Sequence, residues 1–239
     1  MVLVFAYWLL IAVVNQIRYI GPMVVTVSLP GFSVSFMVVC EELRRGRVPQ
    51  PALIFAGFRT HLATLLALGA VYLLSIFAAL WLSSFADGGL LLNWVLWGQP
   101  PPAQAFQEEA LPGAVVTAMA LMTPVLIAFW FAPVLAAWND MGTAKSLFYS
   151  FFACWRNWRA FLVYGATLIV LGGALSVLVT LVAIVLGGSS NALRGAMLTA
   201  TLVSLPTMFG SLYAAYRDIF PQVPDASILA EQSIEPPAA

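Results

Sequence analysis

Long uncharged apolar runs alternate along the chain with short segments in which the charges collect. Ile20–Cys40, Leu62–Phe85, Gly113–Trp138, Ala160–Leu186 and Gly195–Tyr216 contain no Asp, Glu, Lys or Arg. A helix rising about 1.5 Å per residue needs roughly 20 apolar residues to cross about 30 Å of hydrocarbon, and each run is long enough. A charge at the centre of such a helix costs about 2.5–3.5 kcal/mol, which explains the exclusion. Val2–Ile17 is apolar but slightly shorter. It lacks the basic start and small-residue cleavage site of a signal peptide, so it reads as a retained first span. The pattern predicts an all-α, polytopic membrane bundle of about six transmembrane helices.

The even-numbered spans end alike. Phe32, Phe131 and Phe209 are each followed nine residues later by an acid, Glu41, Asp140 and Asp218. These spans also carry proline, at Pro30, at Pro124 and Pro133, and at Pro206, whereas the interiors of the odd spans have none. Three helix-pair units follow, although the anchors lie 99 and then 78 residues apart. Each proline removes a backbone donor and clashes with the preceding turn, so kinks are expected at these four positions. The kinks serve either packing or the framing of a cavity.

A second echo precedes spans three and five, in LIFAGFR (53–59) and in Leu147–Arg159. Leu147, Phe148, Phe151, Phe152 and Trp155 recur at helical spacing, with Arg156 and Arg159 following. Such a segment lies flat in the interface, rings in the hydrocarbon and cations at phosphate level. Arg59, Arg156 and Arg159 are therefore candidate contacts for lipid headgroups, against a plainer role in orientation and anchoring. Leu90–Trp97, in the Pro- and aromatic-rich loop 86–112, is a further interfacial piece, with a ligand-capping lid as the alternative.

Charge sets the orientation. With six spans, one side holds Arg44, Arg45, Arg47, Arg59, Lys145, Arg156, Arg159 and Arg217, while the other holds Arg18 and Arg194 and the loop acids Asp87, Glu108 and Glu109. Basic loops stay in the cytoplasm, so both termini are expected there. Residues 1–220 form the membrane domain. Residues 221–239, polar and rich in proline, read as a disordered cytoplasmic tail.

Composition narrows the solvent to lipid. Of 239 residues, 62% are hydrophobic and 8% charged, against about 45–50% and about 25% in soluble domains. Ten basic and ten acidic residues give a formal net charge of +0, which leaves no basic field for nucleic acid. Membrane lipids are the expected partners, with self-association or a membrane-protein partner open.

Candidate chemistry is sparse. His61 is the one histidine, and Cys40 and Cys154 belong to no CxxC motif, so no metal ligand set or cofactor is expected. No Walker loop or dinucleotide fingerprint is present. Glu41, Glu42, Asp140 and Asp218 gather near one boundary, where they either pair with Arg44, Arg45, Lys145 and Arg217 or form a ring that binds cations or catalyses. Glu41 and Arg45, four apart, are expected to pair. The span interiors hold only hydroxyls such as Thr26, Ser28, Thr123, Ser176, Thr180, Ser204 and Thr207, which disfavours proton-coupled transport. Gly172–Ser176–Thr180 and Ala196–Ala200–Ser204 are small-residue packing faces.

FAGFR (55–59), FFACWRNWRAFLVYG (151–165) and SLYAAYRDIF (211–220) resemble segments of an uncharacterised family of proteobacterial multi-pass inner-membrane proteins. The resemblance covers nearly the whole chain through Phe220, with YRDIF its most specific piece. More distantly, the helix pairs are similar to the membrane domain attached to some glycerophosphodiester phosphodiesterases. The resemblance implies a further basic, amphipathic segment ahead of the first span and supplies no catalytic residue. The expectation is an integral inner-membrane protein, non-enzymatic, interacting with lipid or acting as a scaffold. Alternatives are a carrier or channel for a neutral or lipidic solute and, third, a lipid-acting enzyme using the boundary acids.

Overall fold

The computed structural model describes residues 2–106, 110–185 and 190–220. The tail expected over 221–239, the loop acids Glu108 and Glu109, and the side chains of Arg194, Ala196 and Ala200 lie outside that description. The described residues are helical with no strand. The α-helices are α1 (Val2–Val14), α2 (Ile20–Arg44), α3 (Leu62–Asp87), α4 (Leu90–Trp97), α5 (Ala110–Phe129), α6 (Ala132–Trp138), α7 (Thr143–Arg156), α8 (Trp158–Val185) and α9 (Ser190–Ile219). Short 3-10 turns cover Pro51–Phe58 and Ala103–Phe106.

Ile20–Arg44, Leu62–Asp87, Ala110–Trp138 and Trp158–Val182 are long and apolar enough to cross a membrane. The first expected span is shorter than Val2–Ile17. Its helix stops at Val14, and thirteen residues reach only about 20 Å. Asn15–Tyr19 then reverse the chain, Tyr19 taking a left-handed φ of 65°. The turn is tight enough that a β-carbon on Gly21 would sit 2.2 Å from the Val14 carbonyl oxygen. Helix α3 packs on α5 and α8 on α9, as the second and third expected units require, whereas α2 packs more extensively on α3 than on α1.

Helix ends follow local chemistry. Asp87 closes α3 by accepting the Gly89 and Leu91 N–H groups at 2.8 and 2.7 Å, while Gly88 and Gly89 turn the chain at positive φ. That turn launches α4 over the residues expected to lie in the interface. Pro30, Pro124 and Pro206 sit inside helices that continue through them. The chain leaves helical form at Trp130–Phe131 instead, and Pro133 occupies the first turn of α6, where a missing N–H is harmless.

Hydroxyls in the spans bond their own helix: Thr26 to the Pro22 oxygen, Thr123 to Met119, Ser176 to Gly172 and Thr180 to Ser176, each at 2.8 Å. They are thereby satisfied without a partner helix or water. Packing is uneven. Phe131–Ala136 are all buried, and around them Met37, Leu212, Tyr213 and Tyr216 join α2, α6 and α9. No described residue of α8 is buried.

Candidate functional site

The chemistry-bearing residues meet at the end of the bundle where α2, α6, α7 and α9 finish and α3 and α8 begin. Two segments fold back against the spanning helices there. The first, Pro51–Phe58, packs on the side of α2 at Gly31–Ser35. A β-carbon on Gly57 would stand 2.0 Å from the Gly31 oxygen, so glycine alone permits this approach. Ser35 of α2 accepts the Gly57 N–H at 2.9 Å, and its own hydroxyl donates to the Gly31 carbonyl at 3.0 Å. The second segment, α7, lies under the α5–α6 break. Its Ser150 hydroxyl accepts the Phe131 N–H at 2.9 Å and donates to the Ile127 carbonyl at 3.3 Å, supplying partners for the interrupted backbone.

Helix α7 is strongly two-faced. Its buried face is Ser146, Ser150 and Cys154, four apart, while Phe148, Phe152 and Trp155 are exposed. The small residues seat the helix on the protein and the rings point outward, as an interfacial helix against hydrocarbon requires. Sequence reasoning found the rings and missed the small stripe. The signal was present as a four-residue spacing, the same rule applied to α8. Burial pushes the Cys154 thiol up to about 12.

Ionic groups tie this end together. Glu41 receives hydrogen bonds from Arg44 at 2.7 Å and Arg45 at 2.6 Å, and from the Tyr213 hydroxyl of α9. Arg47 pairs with Glu42 at 2.9 Å. Tyr216 donates to Asn139 at 2.8 Å. The His61 ring lies 3.4 Å from the Asp140 carboxylate, and both residues have left-handed backbones. Of the expected acid partners, Arg44 and Arg45 are found, and Arg47 and His61 stand where the sequence had pointed to Lys145 and Arg217. Lys145 lies instead 6.0 Å above the Tyr149 ring.

The three candidate headgroup arginines differ. Arg59 follows Phe58 at the end of the first segment, exposed. Arg159 stacks over the Trp158 ring at 5.5 Å. Arg156 ends α7 and lines an open groove of about 620 Å³ between the α7–α8 corner and the end of α9, where Asp218 and the following Phe220 line it. A separate cleft of about 240 Å³ lies higher, among α2, α3, α5, α6, α8 and α9. Pro30 and Pro133 line it; Pro124 and Pro206 do not. Its walls are apolar apart from Ser33, Tyr72, Trp130 and Tyr164, and the Tyr164 hydroxyl is held 2.7 Å from Ser211.

No family model and no solved structure matches the chain. It is 34% identical over 238 residues to a probable inner membrane protein of Burkholderia thailandensis, an alignment covering 94% of this chain and 88% of that protein. An all-helical chain with several membrane-length apolar helices is what such a relative predicts, and the chain belongs to the family of that inner membrane protein.

Proposed function

We propose that this integral inner-membrane protein is a non-enzymatic, lipid-interacting protein that holds phospholipid at its basic end. The observation that carries the reading is α7: outward-facing Phe148, Phe152 and Trp155 followed by Arg156 in an open groove. Rings of this kind settle at the acyl boundary, which brings Arg156 and Arg159, and Arg59 on the neighbouring segment, to the phosphate layer. The same reading places the eight basic residues of this end, and both termini, in the cytoplasm, with α1 as a sixth crossing shorter than the other five.

Charge reversal tests it. Arg156→Glu combined with Arg159→Glu lowers the phospholipid retained per protein, by native mass spectrometry from nanodiscs, at least threefold while the melting temperature holds. Unchanged retention with an intact fold overturns the reading. A topology reporter fused after Phe220 is expected to give the cytoplasmic signal.

A carrier for a lipidic solute is the second reading, favoured by the cleft beside Pro30 and Pro133. Its apolar wall suits a hydrocarbon chain and offers a polar solute few partners. Faster movement of labelled lipid between leaflets in proteoliposomes, abolished by Ser33→Phe, distinguishes it from static binding.

A further inference from the structure

The groove at the α7–α8 corner presents opposite charges from two elements, Arg156 on one wall and Asp218 on the other. Among the described residues no ion pair or hydrogen bond joins them, although both face the same space of about 620 Å³. Elsewhere at this end the acids have found donors: Glu41 and Glu42 their arginines, Asp140 its histidine. A cation and an anion that share one groove without pairing match a ligand carrying the reverse pair. We infer that the groove is a headgroup site for a zwitterionic aminophospholipid, its phosphate on Arg156 and its primary ammonium on Asp218. This assignment rests on the lipid-interacting reading and narrows it to one headgroup class.

Three features choose this occupant. Guanidinium is the side chain best shaped for phosphate oxygens, and a primary ammonium donates charge-assisted hydrogen bonds to a carboxylate. The Asn157 amide gives one N–H to the Ala153 carbonyl at 2.8 Å, which leaves its oxygen to accept from an ammonium and one N–H for a phosphate oxygen. Exposed Tyr149 and Phe152 on the groove wall, and the bare first turns of α8, give an attached acyl chain an apolar path that a soluble zwitterion would leave empty. A purely anionic headgroup satisfies Arg156 and leaves Asp218 facing like charge or nothing. A headgroup bearing an additional carboxylate meets Asp218 with repulsion.

The test uses the full chain in nanodiscs of equal phosphatidylethanolamine and phosphatidylglycerol, with bound lipid identified by native mass spectrometry. Wild type is expected to retain the ethanolamine lipid over the glycerol lipid by at least threefold. Asp218→Asn brings that ratio to about one with total lipid unchanged, and Asp218→Lys inverts it. Arg156→Gln lowers both lipids together. Melting temperature within a few degrees of wild type confirms that each variant is folded; Asp218 is exposed, so Asp218→Asn leaves the core intact. A wild-type ratio of one, or a ratio that Asp218→Asn leaves untouched, overturns the assignment even if total retention still depends on Arg156 and Arg159. Displacement of the bound lipid by millimolar soluble phosphoethanolamine also overturns it, since the site would then read a free zwitterion.

Discussion

The two segments folded against the spanning helices solve one problem in opposite directions. Under α2, the spanning helix stays continuous through Pro30 and lends a hydroxyl, Ser35, to the backbone of the segment below. Under α5 and α6, the spanning helix breaks, and the segment below lends Ser150 to the orphaned Phe131 N–H. The place of the closure is shared while donor and acceptor change sides. Away from water an unpaired backbone group is costly, so each copy of the unit must close, and whichever side has the gap receives the hydroxyl. Contact distance also differs: the first segment touches through backbone at Gly57, the second through the short side chains of α7.

That contrast is sharpest at Gly57. Gly57→Val forces a β-carbon into the Gly31 carbonyl and is expected to cost more than about 3 kcal/mol, seen as loss of the folded monomer or a large fall in melting temperature in detergent. Gly165→Val, with nothing within 4 Å of its β-position, serves as the neutral control. If both variants melt alike, the backbone approach is unimportant. Next in size, Ser35→Ala and Ser150→Ala each strand one buried N–H and are expected to cost about 1–3 kcal/mol. A loss confined to one serine breaks the equivalence of the two closures. A chemical probe tests the α7 seat without perturbing the fold. In a Cys40→Ser background, Cys154, pushed up to about 12 by burial, is expected to react with maleimide at pH 7.5 about 10³-fold more slowly than a free thiol. Labelling at the free-thiol rate would mean that α7 lifts off the bundle.

The helices were legible because a membrane crossing demands an uninterrupted apolar run, and few sequences meet that demand by accident. Leu90–Trp97 was legible for a related reason, its indoles flanked by glycines and prolines. The end of α1 at Val14 was not, since Asn15 and Gln16 lie inside an otherwise apolar stretch and only the turn at Tyr19 shows why the helix stops. Nor was the break at Trp130–Phe131, which proline alone does not mark: Pro30, Pro124 and Pro206 leave their helices whole. What permits the break is Ser150, nineteen residues away. At the candidate site, Arg156 and Asp218 could each be singled out by charge. Their sharing one groove is a tertiary fact, set by where α7 turns into α8 at Asn157.

Helix α8 has 28 residues and almost no protein around it. At about 1.5 Å per residue it measures roughly 42 Å, well beyond the roughly 30 Å of a typical hydrocarbon layer. A rod that long must lean, and among the described residues it packs mainly on α9, with ring contacts to Trp130 and Phe131 near its start, so the thickness of the surrounding bilayer sets the angle. Shorter or longer fatty acids would swing this rod about the corner at Asn157, making the membrane itself a determinant of the protein's shape.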